Sequence, residues 1–236
     1  MSKKKKSDLI KQPTRGRVAL EVTGTAPLIQ NKFAQKALDQ MLRKHMGLSV
    51  HKEKKNPRQS IEDATIYNVD RRVSIPPVAF KAAMISASPG LKGLKKTHLR
   101  NQLFIVGQSV PITHEGDMVP RMDMVRVGMN APDVRFRPMF QGWKARMIIE
   151  FDDVLDIATV VDLLGRAGSV GVGEWRPEKN GTFGTFAVTR NIDKPAEQAE
   201  VLEECSREIP SLIIPDWAMD ADLEEVADII KKVGAS

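Results

Sequence analysis

Apolar and polar residues alternate from Arg17 to Thr23, with Val18, Leu20 and Val22 on one face, which predicts a first strand. Pro27 closes it, and Asn31 reads as the N-cap of a helix from about Lys32 to Met46 with Phe33, Ala37 and Met41 as its stripe. Arg71–Ile75 predicts a short strand, and Pro76–Pro77 opens a helix over Val78–Ser88, since proline suits the first helical turn. Asn101–Val106 reads as a strand, and Gln108–Arg126 as irregular strands with turns at Glu115–Gly116 and Pro120. Val134–Phe140 and Lys144–Phe151 read as two further strands, the second with Met147, Ile149 and Phe151 on one face. Ile157–Leu164 predicts a short amphipathic helix, and Thr182–Thr189 a returning strand. Ala196–Glu208 and Asp220–Val233 predict two acidic helices beyond Pro195.

These elements predict an α+β chain with helices on one face of an antiparallel sheet, compatible with an RRM-like or ferredoxin-like core. Three regions follow: a basic tail over 1–16, a core over 17–190 with an insertion at about 45–68, and an acidic helical C-terminal appendage over 191–236. A hydrophobic share of 42% supports a real core, and 11 methionines against 5% aromatics make it aliphatic. A single cysteine, Cys205, excludes an intramolecular disulfide and a cysteine-based zinc site. No apolar run reaches the ~18 residues of a membrane helix, so the expectation is a soluble, cytoplasmic protein.

Charge sharpens this picture. Residues 191–236 hold 12 acidic and 4 basic residues, a net of −8, so the first 190 carry +14 of the total +6. A basic body implies a polyanionic partner. The basic residues gather at particular places, namely Lys95, Lys96 and Arg100 in one stretch and Arg135 and Arg137 alternating along a strand. The densest candidate is Gly165–Phe186, where six glycines are interleaved with Arg166, Arg176, Lys179, Trp175 and Phe183. Arginine and lysine meet phosphates, aromatic rings meet bases, and Gly168, Gly171 and Gly173 would let backbone approach a ligand. The competing reading of that stretch is a long structural turn.

Two segments resemble the RAMP superfamily, the RRM-related proteins that include backbone and processing subunits of CRISPR effector complexes. Ile75–Ser86 is similar to the helix after their second core strand, and Gly165–Phe186 to their C-terminal glycine-rich loop. The resemblance implies binding of single-stranded RNA, a guide RNA in particular, by repeated subunits of a homo-oligomeric or multi-subunit nucleoprotein complex. It also implies a thumb-like insertion at 45–68. Val170–Phe186 further resembles segments of uncharacterised phage proteins, which implies a mobile-element context. The chain departs from an RRM in lacking an evident aromatic pair on central strands.

Known catalytic signatures are missing: no Walker loop, no nucleophile elbow, no dinucleotide fingerprint, and no metal-ligand spacing among the four histidines. Neither cofactor nor metal is expected. His98, beside Lys95, Lys96 and Arg100, is the one candidate general base, for metal-independent RNA cleavage by an internal 2′-hydroxyl. The functional expectation is therefore non-catalytic binding of single-stranded RNA or DNA. A RAMP-type endoribonuclease and a phage protein-interaction or virion-assembly subunit are the alternatives.

Overall fold

A computed structural model describes residues 14–50, 54–127 and 131–219. Its antiparallel sheet contains β1 (Arg15–Gly24), β2 (Leu28–Ile29), β3 (Ser74–Ile75), β4 (Leu103–Ile105), β5 (Val110–Val127), β6 (Ala131–Asp152) and β7 (Phe186–Asn191). The helices are α1 (Gln35–His45), α2 (Pro57–Ala64), α3 (Pro77–Ala87), α4 (Lys96–Gln102), α5 (Ile157–Val170), α6 (Pro195–Ser206) and α7 (Asp216–Met219). The sheet runs β3-β5-β6-β1-β7, and β2 and β4 also pair with β6. An α+β protein with an antiparallel sheet is thus what the alternation implied.

Val18, Leu20 and Val22 of β1 stand opposite Ile149, Met147 and Ala145 of β6, and all six are buried on one face. That face is covered by Phe80, Ala83 and Met84 of α3 and by Val160, Leu163, Leu164 and Ala167 of α5. The spacing in each helix puts these side chains on a single stripe. Trp143 is fully buried there, donates Nε1–H to the Ala26 carbonyl at 2.9 Å and meets the Phe186 ring edge-on at 6.0 Å.

The opposite face is covered as well, which corrects the expectation of helices on one face and an appended C-terminus. Ala19, Ile148 and Ile192 are buried beneath Val201 and Cys205 of α6. The glutamates of α6 sit over cations of the sheet: Arg146 reaches Glu204 at 2.9 Å and Glu197 at 3.6 Å. Burial pushes the Cys205 thiol up to about 12, so it is unreactive at neutral pH. Val201→Ala is expected to lower unfolding free energy by about 2 kcal/mol, read as a reduced urea midpoint with an unchanged slope. The second acidic helix, Asp220–Val233, lies outside the described residues, as do positions 1–13 of the basic tail. Arg15 and Arg17 belong to β1.

Several boundaries move. The N-cap of α1 is Ala34 rather than Asn31, and no residue of α1 is buried. Positions 110–127 form one strand, β5, rather than several; the expected irregularity survives as register shifts between Thr113 and Val119, around Glu115–Gly116. The strands expected at 134–140 and 144–151 are one strand, β6. Region 45–68 contains α2, capped by Asn56, with Ile61 and Ala64 buried. Past the reach of β1, β5 and β6 continue as a two-stranded ribbon, to which Lys55, just before α2, is tied by its pair with Asp133. There, 119–127 pair with 131–139, and β1 pairs only with 144–152 of β6. No helix among the described residues is long and apolar enough to cross a membrane.

Candidate nucleic-acid interface

The glycine-rich segment begins as helix. α5 continues through Gly165 and Gly168 to Val170, and Gly171, at φ 78°, ends it. A Cβ on Gly168 would stand 1.9 Å from the Phe186 carbonyl oxygen, so this glycine lets α5 press onto β7. Gly173, at φ 80°, lies against the Ile29 carbonyl. The loop beyond is tied down by its own backbone: Val172 N–H donates to the Gly184 carbonyl, Glu174 N–H to Ile29 and Gly184 N–H to Pro27, at 2.8–2.9 Å. The Gly171 amide is spent on Ala167 at 2.9 Å. The structure therefore gives Gly168, Gly171 and Gly173 roles in packing, and Gly168 is not a loop residue.

Most of the expected cations have partners within the fold. Arg166 pairs with Asp162 at 3.2 Å, and Lys179 with Glu174 at 3.4 Å. Arg176 pairs with Glu178 at 2.8 Å and donates to the Gly173 carbonyl at 2.9 Å. Arg135 pairs with Asp133 at 2.8 Å. Arg137 shares a strand face with Arg135, as the alternation suggested, but is not exposed there: it is 6% exposed and pairs with Asp123 at 3.3 Å.

The turn Pro177–Lys179 docks on α3, where Ser86 Oγ donates to Glu178 at 2.6 Å. The Ser86 hydroxyl, then Arg176, hold the Glu178 carboxyl below its usual range, with Lys96 adding to the effect. Arg166 lies against Gly90, at the turn that follows α3. Two stretches far apart in sequence, the Lys92–Arg100 run and the glycine-rich loop, are thus brought together. Lys92, Lys95 and Arg100 are exposed and form no ion pair among the described residues. His98 is exposed on α4, and its imidazole has no hydrogen-bond partner among the described residues that would orient it as a base.

Because the folded Glu178 carboxyl is depressed, its contribution to loop docking is present above the ordinary glutamate range. It is lost as pH falls through the folded value. The melting-temperature difference between the wild-type chain and Glu178→Gln is expected to shrink as pH is lowered from neutral through that range. A pH-independent difference contradicts the docking role.

Trp175 and Phe183 face the β5–β6 ribbon. Trp175 Nε1–H donates to Asp123 at 3.2 Å, and the Arg121 guanidinium lies 4.8 Å from the Phe183 ring centre. Both rings are half-buried. Sequence reading missed Arg121 and Asp123. In register, Arg121 opposes Arg137 and Asp123 opposes Arg135, so all four share one ribbon face. That signal is legible only once 110–127 is taken as one strand.

A groove of about 940 Å³ lies elsewhere, between α1 and 210–215, lined by Phe33, Tyr67, Val69, Leu212 and Ile213; none of the candidate cations lines it. Gln35 and Ile213 exchange two hydrogen bonds there, at 2.6 and 3.0 Å. Among the described residues, no three His, Cys, Asp or Glu side chains are grouped to hold a metal ion.

No protein-family model matches the chain, and no curated protein matches it. Among solved structures it is similar to a chain of the type III-B Cmr-beta complex bound to cognate target RNA. The identity is 12%, the TM-score is 0.47, and the match covers 75% of this chain and 60% of that one. It is also similar to a chain of a CRISPR RNA-guided surveillance complex, at 10% identity and a TM-score of 0.37, over 91% of this chain and 84% of that one. The chain thus spans less than two thirds of the Cmr-beta chain. The phage context expected from sequence finds no support in either likeness.

Proposed function

We propose that the chain binds single-stranded nucleic acid without catalysis, along a surface formed by Lys92–Arg100 and the turn Pro177–Lys179. The carrying observation is the contrast in pairing. Lys92, Lys95 and Arg100 stand exposed and unpaired beside the docked loop, whereas Arg166, Arg176, Lys179 and Arg137 are matched by carboxylates of the fold. Exposed cations left unpaired beside one another repel, and a polyanion relieves that repulsion.

The finer fold reading is a split βαβ core. The succession β1-α3-β4-β6-α5-β7 gives neighbours β4-β6-β1-β7, each pair antiparallel, with α3 and α5 sharing one core on one face. That succession supports the ferredoxin-like order that the RAMP resemblance implies. In an RRM the open sheet face would carry RNA. Here α6 occupies that face, so binding falls to the loop end. RNA, and a guide RNA in particular, is the favoured strand, and repeated side-by-side copies are the favoured assembly.

A second reading, a protein-interaction subunit, draws on Met122, Met124 and Ile213, which are 69%, 77% and 73% exposed. Purification at low salt separates the two. Nucleic acid that co-purifies and is trimmed by nuclease to fragments of regular length supports the first reading. Assemblies free of nucleic acid, with no binding to added single strands, support the second.

A further inference from the structure

The ribbon meets the glycine-rich loop around one buried carboxylate. Asp123, 7% exposed, accepts Arg121 Nε–H on Oδ1 at 2.7 Å. On Oδ2 it accepts Arg137 Nη1–H at 3.3 Å and Trp175 Nε1–H at 3.2 Å. Two guanidinium groups share one carboxylate, so the cluster carries a net charge of 2 − 1 = +1. Asp123 and Arg137 are the buried pair, and the surplus charge lies on the more exposed Arg121. Arg137 also leaves its Nε–H buried without a partner. Arg121 is different: its side chain is 34% exposed and stacked over Phe183, and neither of its Nη groups has a partner among the described residues.

The backbone here is strained too. Trp175 sits at φ 52°, a region that bulky side chains rarely adopt, and Gly181 packs against its carbonyl, where a Cβ would stand 1.8 Å away. Strain of this kind persists where the surroundings over-determine it, and it gathers at ligand-contact sites. Like charges placed directly opposite across a strand pair are unfavourable, yet Arg121 stands opposite Arg137. A surplus positive charge, an orphaned buried donor and a stacked arginine with an open fork therefore coincide at one junction.

We propose that this junction is a phosphate seat for the bound strand. Arg121 presents its two Nη groups to one phosphodiester, whose paired oxygens match the guanidinium fork. Asp123 is a positioning residue: it fixes Arg121 through Nε and locks Trp175, so that Phe183 supports the guanidinium plane. The seat extends the single-strand reading above, and rests on it, from α4 to the base of the ribbon.

The test is fluorescence anisotropy of the full chain with labelled oligouridylate and labelled oligothymidylate. Failure of the wild-type chain to bind either probe overturns the single-strand reading and the seat with it. With wild-type binding in hand, Arg121→Ala is expected to weaken affinity about tenfold for both probes. The slope of log affinity against log salt is expected to flatten by about 0.7. Arg121→Lys is expected to restore the slope but not the full affinity, because lysine keeps the charge and lacks the fork. Asp123→Asn adds one net positive charge, so a purely electrostatic contribution would tighten binding, whereas lost positioning weakens it. Unchanged affinity and slope in an Arg121→Ala protein that melts like wild type overturns the seat, and tighter binding by Asp123→Asn overturns the positioning role. Arg121→Gln is read by the same criteria if the alanine variant does not fold.

Discussion

Replacing Lys95, Lys96 and Arg100 together with alanine is expected to weaken single-strand binding by about a hundredfold. Each lost phosphate contact is worth about 1 kcal/mol after solvent screening, and three of them make about 3 kcal/mol. The salt slope is expected to flatten by about 2, at about 0.7 per phosphate for a single strand. All three side chains are exposed, and the buried anchor of α4 is Leu99, so the fold is expected to survive. Circular dichroism and a thermal melt check that, and anisotropy at several salt concentrations reads the binding. A triple variant that binds like wild type contradicts the placement of the interface. The matched control is Arg176→Ala with Lys179→Ala, which removes cations already paired with Glu178 and Glu174 and is expected to cost less.

The second large effect concerns stability. Gly168→Ala is expected to lower unfolding free energy by about 3 kcal/mol, the upper part of the range for overpacking. Its new methyl group would meet the Phe186 carbonyl at 1.9 Å, which is backbone of a sheet strand and cannot step aside. Gly165→Ala, one turn earlier in the same helix, meets nothing within 4 Å. It is expected to stabilise by about 0.5–1 kcal/mol, since alanine favours helix over glycine. Urea denaturation of the two variants measures opposite signs if Gly168 is a helix–strand packing residue. Two stable variants that differ only in affinity would instead assign Gly168 to ligand contact.

That pair also shows how far the sequence was legible. The alternation at Val18, Leu20 and Val22 reads directly, because a strand with one face in the core must alternate. The proline pair before α3 reads directly as well. The glycines mislead: residue type predicts a loop from Gly165, whereas burial of Ala167 and Gly168 against β7 carries the helix through to Val170. Glu115, Gly116 and Pro120 read as turn residues, yet β5 absorbs them through register shifts, and Pro120 stands opposite Pro138. The acidic α6 reads as solvated because Val201 and Cys205 make a stripe only two residues wide, enough to cover the small patch at Ala19 and Ile148.

The candidate site was legible in parts. The basic run at 95–100 and the loop cations were visible as residues, and Glu174 and Glu178 were visible as nearby acids. That those acids neutralise Lys179 and Arg176 follows from the turn at Pro177–Lys179. The cluster of Arg121, Asp123, Arg137 and Trp175 depends on hairpin register and on contact between segments 52 residues apart. No local pattern encodes that.

The most direct measurement is the affinity of the wild-type chain for oligouridylate across a salt series. Contacts from Lys92, Lys95, Lys96, Arg100 and Arg121 predict that log affinity falls against log salt with a slope of magnitude about 3.5, at about 0.7 per phosphate. Binding that is independent of salt, or no binding at low salt to either oligouridylate or oligothymidylate, would contradict single-strand binding at this surface.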